Sequence, residues 1–164
     1  LIALKFASTF DQVRIRYNLG TVYAEQGHLE DAIEQYKLSL ILKPNLVEAR
    51  NDLGIAYLKK GSLDDAIGEF KIALRLTPDY VLTHYNLGIS YMKQGLLHEA
   101  KEQFKIATKL DPNDADIHLN LGKIYYREGR LDEAIKELQI AARLKPDSME
   151  AVKLIEDIKT KVNR

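Results

Sequence analysis

The sequence predicts an all-α fold of stacked helix pairs, and three observations carry that expectation. The four prolines, Pro44, Pro78, Pro112 and Pro146, stand 34 residues apart, a period typical of one supersecondary unit repeated along a chain. Leu19, Leu53, Leu87 and Leu121 keep the same spacing, each followed by glycine (Gly20, Gly54, Gly88 and Gly122). So do Tyr23, Tyr57, Tyr91 and Tyr125, the alanines Ala32, Ala66, Ala100 and Ala134, and the series Tyr36, Phe70, Phe104 and Leu138. Eight of the nine glycines fall at only two places of the period, so they mark turns and close contacts and do not form a phosphate-binding loop.

Each element follows from this register. The first helix of a period carries Leu, Gly and, three residues on, Tyr; glycine inside a helix costs about 1 kcal/mol relative to alanine, and a close helix contact is the expected compensation. Gly27, Gly61, Gly95 and Gly129 end that helix, as a residue with left-handed backbone does just past a C-terminus. The second helix opens near Glu30-Asp31, Asp64-Asp65, His98-Glu99 and Asp132-Glu133, where acidic side chains suit the unpaired N–H groups of a first turn. It closes ahead of the proline, which disfavours helix in the residue before it. Asn45, Asp79, Asn113 and Asp147 are the expected caps of the next helix. Each period thus holds two antiparallel helices of about 12–14 residues joined by a short turn.

Composition narrows the function. The chain has 164 residues, 24 Lys+Arg against 24 Asp+Glu, and no Cys or Trp. Neutral balance argues against nucleic acid, which is held by clustered cations. Zero Cys removes disulfides, thiolate catalysis and Cys-ligated metals. No apolar run approaches the ~18–20 residues of a membrane-spanning helix. The chain reads as soluble, cytoplasmic by default, with its compartment open and no membrane insertion.

Segments such as YNLGTVYAEQGHLEDAIEQY and YNLGISYMKQGLLHEAKEQF resemble tetratricopeptide (TPR) repeats. The resemblance implies a right-handed α-solenoid with repeats at 13–46, 47–80, 81–114 and 115–148, the first helix of each lining a concave face. One departure is regular: where the family often has Trp, this chain has Arg16, Arg50, His84 and His118. A helix pair cannot bury its apolar face alone, so repeats stack and their ends need covers. Residues 149–164 read as a capping helix, with Ala151, Val152, Ile155 and Ile158 inward and Lys153, Glu156, Asp157 and Lys161 outward. Residues 1–12 read as a helical lead or the remnant of a preceding helix, or as a surface for self-association.

No catalytic constellation emerges, and the chain reads as a non-enzyme without cofactor. The serines lack nucleophile-elbow glycines, and the acidic residues belong to solvated helix faces. His84 and His118 occupy one place in successive repeats, but zinc takes three or four ligands at about 2.0–2.1 Å and no third is apparent. No metal site is expected.

The remaining candidate is the groove the resemblance implies. Its expected residues are Tyr17 and Asn18; Asn51, Asp52, Ile55, Leu58 and Lys59; Leu82, Tyr85, Asn86, Ile89, Met92 and Lys93; and Leu119, Asn120, Lys123, Tyr126 and Arg127. Thr21, Glu25, Glu48 and Asp116 lie along the same helix faces. Repeats 2 and 3 supply apolar surface, while Lys59, Lys93 and Arg127 recur at the edge, a surface suited to a peptide or amphipathic helix with apolar anchors. Asn18, Asn86 and Asn120, interrupted by Asp52, resemble the asparagine ladder of O-linked N-acetylglucosamine transferase, where amides hold an extended peptide backbone. The family's carboxylate clamp finds no cationic cradle: in one register it meets Tyr17, Thr21, Asp52, Leu82 and Asn86, in the next Asn51, Ile55, Asn86, Asp116 and Asn120. The expected function is a non-catalytic protein-interaction scaffold. The alternatives are a self-assembling structural module and the substrate-recognition region of a larger enzyme.

Overall fold

A computed structural model describes residues 8–162 of the chain. Among the described residues it is all-α, with nine helices in chain order: α1 (Thr9–Glu25), α2 (Leu29–Leu42), α3 (Val47–Lys60), α4 (Leu63–Leu76), α5 (Val81–Gln94), α6 (Leu97–Leu110), α7 (Ala115–Arg127), α8 (Leu131–Leu144) and α9 (Met149–Val162). The chain divides into two compact units, Leu1–Gln94 and Gly95–Arg164. The division falls at the turn between α5 and α6, inside the third repeat.

In the first unit α1 packs on α2, α3 on α4, and each pair on the helix that follows. Ala32, Ile33, Tyr36, Leu40, Ala49, Leu53 and Ala56 form a buried core there, with Tyr17, Tyr23, Leu46 and Tyr57 against its margin. The helix-interior glycines explain how closely the pairs approach. A Cβ on Gly20 would lie 2.8 Å from the Tyr36 ring, and one on Gly54 would lie 2.5 Å from the Phe70 ring. Real Cβ contacts are essentially never that short, so the ring of the second helix occupies the space a side chain would need.

The second unit is built alike. α7 packs on α8, and a Cβ on Gly122 would lie 2.6 Å from Leu138 Cγ. α9 covers α8, burying Ala151 and Ile158 completely while Lys153, Glu156, Asp157 and Lys161 stay exposed. Val152 and Ile155 are half-buried, as expected of the inward face.

The turns differ from expectation in one respect. Gly27, Gly61, Gly95 and Gly129 have positive φ between 74° and 87°, the conformation the sequence led us to expect. The caps, however, fall one residue later than Asn45 and Asn113: Leu46 is the N-cap of α3 without a side-chain bond, and Asp114 caps α7 by accepting from the amides of Asp116 and Ile117. A tight turn closed by the Leu46 amide donating to the Lys43 carbonyl, 3.3 Å, makes Pro44 and Asn45 its corners, which leaves Asn45 too early to cap. At the other end Ser8 caps α1, accepting from the Asp11 amide at 3.2 Å. Residues 9–12, assigned above to a lead, are therefore the first turn of α1. Residues 1–7, and the self-association expected of them, lie outside the described residues.

Candidate functional site

The first helices of the repeats carry the residues expected to meet a partner, and the structure sorts them by availability. In the first unit Tyr17 of α1 donates its hydroxyl to Asp52 Oδ2 of α3 at 2.8 Å, and its ring lies 5.9 Å from that of Tyr36. Burial, followed by the bond to Asp52 and that carboxylate's charge, pushes the Tyr17 phenol well up. Asn18 is exposed. Ile55, Leu58, Tyr85, Asn86, Ile89 and Met92 are half-buried, Leu82 is 53% exposed, and Lys59 and Lys93 are exposed. A half-open apolar strip with cations at its C-terminal edge thus runs over α3 and α5.

Asn51 does not belong to that surface. It is 3% exposed, accepts from Thr83 Oγ1 at 3.0 Å and donates to Asp52 Oδ1 at 3.3 Å, so it ties α3 to α5. In the second unit Leu119 and Asn120 are 7% and 6% exposed, and the Asn120 amide donates to the Asp116 carbonyl at 2.8 Å. These three residues support the fold and do not present groups to a partner. Helical periodicity gives a residue's angle around its own helix but not how far a neighbouring helix rises beside it. The asparagine ladder is accordingly uneven, with Asn18 open, Asn86 half-buried and Asn120 enclosed.

The last repeat's inner residues are engaged by α9. Lys123 pairs with Glu150 at 2.7 Å, while the Lys161 ammonium lies 4.9 Å from the centre of the Tyr126 ring and donates to its hydroxyl. Arg127 is exposed.

One group of residues was noted in the sequence without its role being recognised. At the place where tryptophan is usual, each side chain reaches into the fold. Arg16 donates to Gln35 at 2.8 Å. Arg50 donates through Nε to the Pro44 carbonyl at 3.0 Å and pairs with Glu69 at 2.7 Å. His84 Nε2 lies 2.7 Å from the Pro78 carbonyl. His118 lies 3.1 Å from the Pro112 carbonyl and 2.7 Å from Glu137. At Arg50 and His118 the position is a clamp between the inter-repeat loop and the second helix. The signal for it was the polar residue 19 positions on, Gln35, Glu69 and Glu137, which keeps the same period. Among the described residues no three His, Asp or Glu side chains converge as a metal site would require.

The raised tyrosines carry a pH prediction. Burial holds the phenols of Tyr17, Tyr36 and Tyr80 above their ordinary value, and the charges of Asp52 and Glu48 add to the shift at Tyr80. The folded state therefore favours the protonated phenol. That stability is complete below the unfolded value of about 10 and is lost as pH rises above it. Denaturant unfolding measured from about pH 8 to pH 11.5 should show a falling midpoint, with a shallower fall in Tyr17→Phe.

Helix pairs closed by a glycine-against-side-chain contact at Gly20, Gly54 and Gly122, and recurring with the 34-residue proline period, define a helical repeat protein. Its family is shown by sequence: a model described as tetratricopeptide repeat matches residues 85–148, and one described as TPR repeat matches residues 20–61 and 56–95. The chain belongs to the tetratricopeptide-repeat family. No curated protein matches it. Among solved structures it is similar to MamA 41-end from Desulfovibrio magneticus RS-1, with TM-score 0.87 and 22% identity over 93% of this chain and 86% of that one. Another structure titled as MamA protein gives TM-score 0.84 and 27% identity, covering 90% and 81% of the two chains. The APC/C hetero-tetramer Cut9–Hcn1 gives TM-score 0.80 and 24% identity over 87% of this chain but only 29% of that one. These likenesses show the fold, and the fold points to a protein–protein interaction scaffold. No helix among the described residues is long and apolar enough to cross a membrane.

Proposed function

We propose that the chain is a non-catalytic scaffold that holds a peptide or helix of a partner protein against the first-helix face of its repeats. The observation that carries this reading is the strip on α3 and α5, where Ile55, Leu58, Ile89 and Met92 are only half-buried, Leu82 is 53% exposed at the N-terminal end of α5, and exposed Lys59 and Lys93 stand at the C-terminal ends of the two helices. Apolar side chains left partly open and bordered by charge suit a partner with apolar anchors. Met92 and Tyr85 add adaptable contact area at modest entropic cost.

Replacing Tyr85, Ile89 and Met92 together by serine tests it. The expected result is that proteins co-purifying with the wild-type chain are lost, while circular dichroism shows unchanged helix content. An unchanged set of bound proteins with the variant folded would overturn the reading.

A further inference from the structure

We infer that the cleft between α1 and α3 takes the side chain of an arginine from a partner polypeptide. The cleft has a volume of about 180 Å³ and lies wholly within the first unit. Its walls include Thr21, Ala24 and Glu25 of α1, Tyr36 of α2, and Asp52 and Lys59 of α3. The inference rests on the first-helix face being the partner surface, and it names the chemistry which that surface selects.

The repeats themselves provide the control. Equivalent positions meet similar packing demands in a stack of like units, so a departure shared by no other repeat points to a local role. Several such departures meet in this one cleft. Ala24 stands where the later repeats have Leu58, Met92 and Tyr126, and its small size leaves the space open. Glu25 stands where they have Lys59, Lys93 and Arg127, reversing the charge. Asp52 replaces the amide of Asn18, Asn86 and Asn120 with a carboxylate. Thr21 replaces the isoleucine of repeats 2 and 3, and Tyr36 adds a hydroxyl absent from Phe70, Phe104 and Leu138. Every polar change adds an oxygen acceptor.

Those acceptors are incompletely used. Among the described residues Asp52 receives only the neutral donors Tyr17 Oη and Asn51 Nδ2, though a carboxylate offers about four lone-pair sites. Among the described residues neither Glu25 nor Asp52 has an ion-pair partner within 4.0 Å, and Lys59 at the rim pairs with neither. Tyr36 is 2% exposed, yet its hydroxyl bond to Thr21 is long, 3.5 Å. Two carboxylates and two hydroxyls on three helices match the planar fork of a guanidinium, whose five N–H donors need several acceptors at once. Ala24 and Ile55 give the aliphatic stem an apolar wall.

The test titrates the full chain with N-acetyl-arginine-N-methylamide and follows backbone amide resonances. Saturable shifts confined to α1 and α3 are expected, with N-acetyl-glutamate-N-methylamide binding at least tenfold more weakly. Glu25→Gln with Asp52→Asn should weaken the arginine probe at least tenfold. Thr21→Ile with Ala24→Leu, Glu25→Lys and Asp52→Asn, which installs residues the other repeats already carry, should abolish binding with the fold intact. No saturable shift, equal response to both probes, or undiminished binding by the double variant would overturn the inference. Free arginine binding tenfold more tightly than the capped probe would make the ligand an amino acid and overturn the polypeptide assignment. Because the probe contains no partner protein, failure here leaves the apolar strip to be judged by the serine variant of α5.

Discussion

Phe70→Ala is expected to destabilise the chain by about 3–5 kcal/mol, the range for removing a fully buried aromatic ring, and adding Gly54→Ala to that variant should recover part of the loss. Gly54→Ala alone should do the opposite. Its new methyl would meet the Phe70 ring at 2.5 Å, and that ring is 0% exposed and has nowhere to retreat. Overpacking of this kind costs about 1–3 kcal/mol, which outweighs the roughly 1 kcal/mol that alanine gains over glycine in a helix. With the ring gone, the clash disappears while the helix gain remains, and the methyl enters space the ring has vacated. The two substitutions should therefore show a coupling of about 2 kcal/mol in a double-mutant cycle. Gly68 supplies the control, since it sits inside α4 and a methyl added there would have nothing within 4 Å. Gly68→Ala should stabilise by up to about 1 kcal/mol. Additive behaviour of Gly54→Ala and Phe70→Ala in urea unfolding would show that the glycine is not there to admit the ring.

The same contact explains why so much of the fold was legible in the sequence. A stacked array repeats its constraints, so the space for Phe70 beside Gly54 recurs as the space for Tyr36 beside Gly20 and Leu138 beside Gly122. Any residue that answers such a constraint reappears 34 positions on. Residues that answer a local circumstance do not repeat, and these were harder to interpret. Asn51 looked like a groove residue until Thr83 of α5 was seen to hold it. Leu46 was not recognisable as the cap of α3 because the turn, and not its side chain, sets the helix start. Ala24 drew no notice at all, since alanine in a helix is unremarkable until its equivalents are found to be Leu58, Met92 and Tyr126. The half-buried and exposed residues of the candidate surface, Ile55, Leu82, Ile89 and Lys93, were expected from the groove the resemblance implies; the supporting residues between them depended on the height of neighbouring helices.

His118→Ala should cost about 2–4 kcal/mol, and His118→Arg should cost less than about 1 kcal/mol, although arginine is the larger change. His118 is 5% exposed and lies between two acceptors, the Pro112 carbonyl and the Glu137 carboxylate. Alanine leaves a cavity between the two acceptors, of which the Glu137 side chain is only 20% exposed. Arginine at the equivalent place in the second repeat already serves the same two kinds of partner, Arg50 bonding the Pro44 carbonyl and Glu69. The offsets are also the same, six residues back and nineteen ahead, so the substituted guanidinium meets a geometry that this fold builds elsewhere. Hydrogen exchange of the α7 and α8 amides locates the effect: alanine should release protection around the 111–114 turn, whereas arginine should preserve it. Were arginine as damaging as alanine, the clamp would be a matter of ring shape rather than of polar contact with Pro112 and Glu137. Glu137→Gln distinguishes the two contacts, because it keeps the size of the acceptor and removes its charge. If the charge-assisted bond is the stronger half of the clamp, Glu137→Gln loses about 1–2 kcal/mol in the wild-type background and nothing further once His118 is alanine.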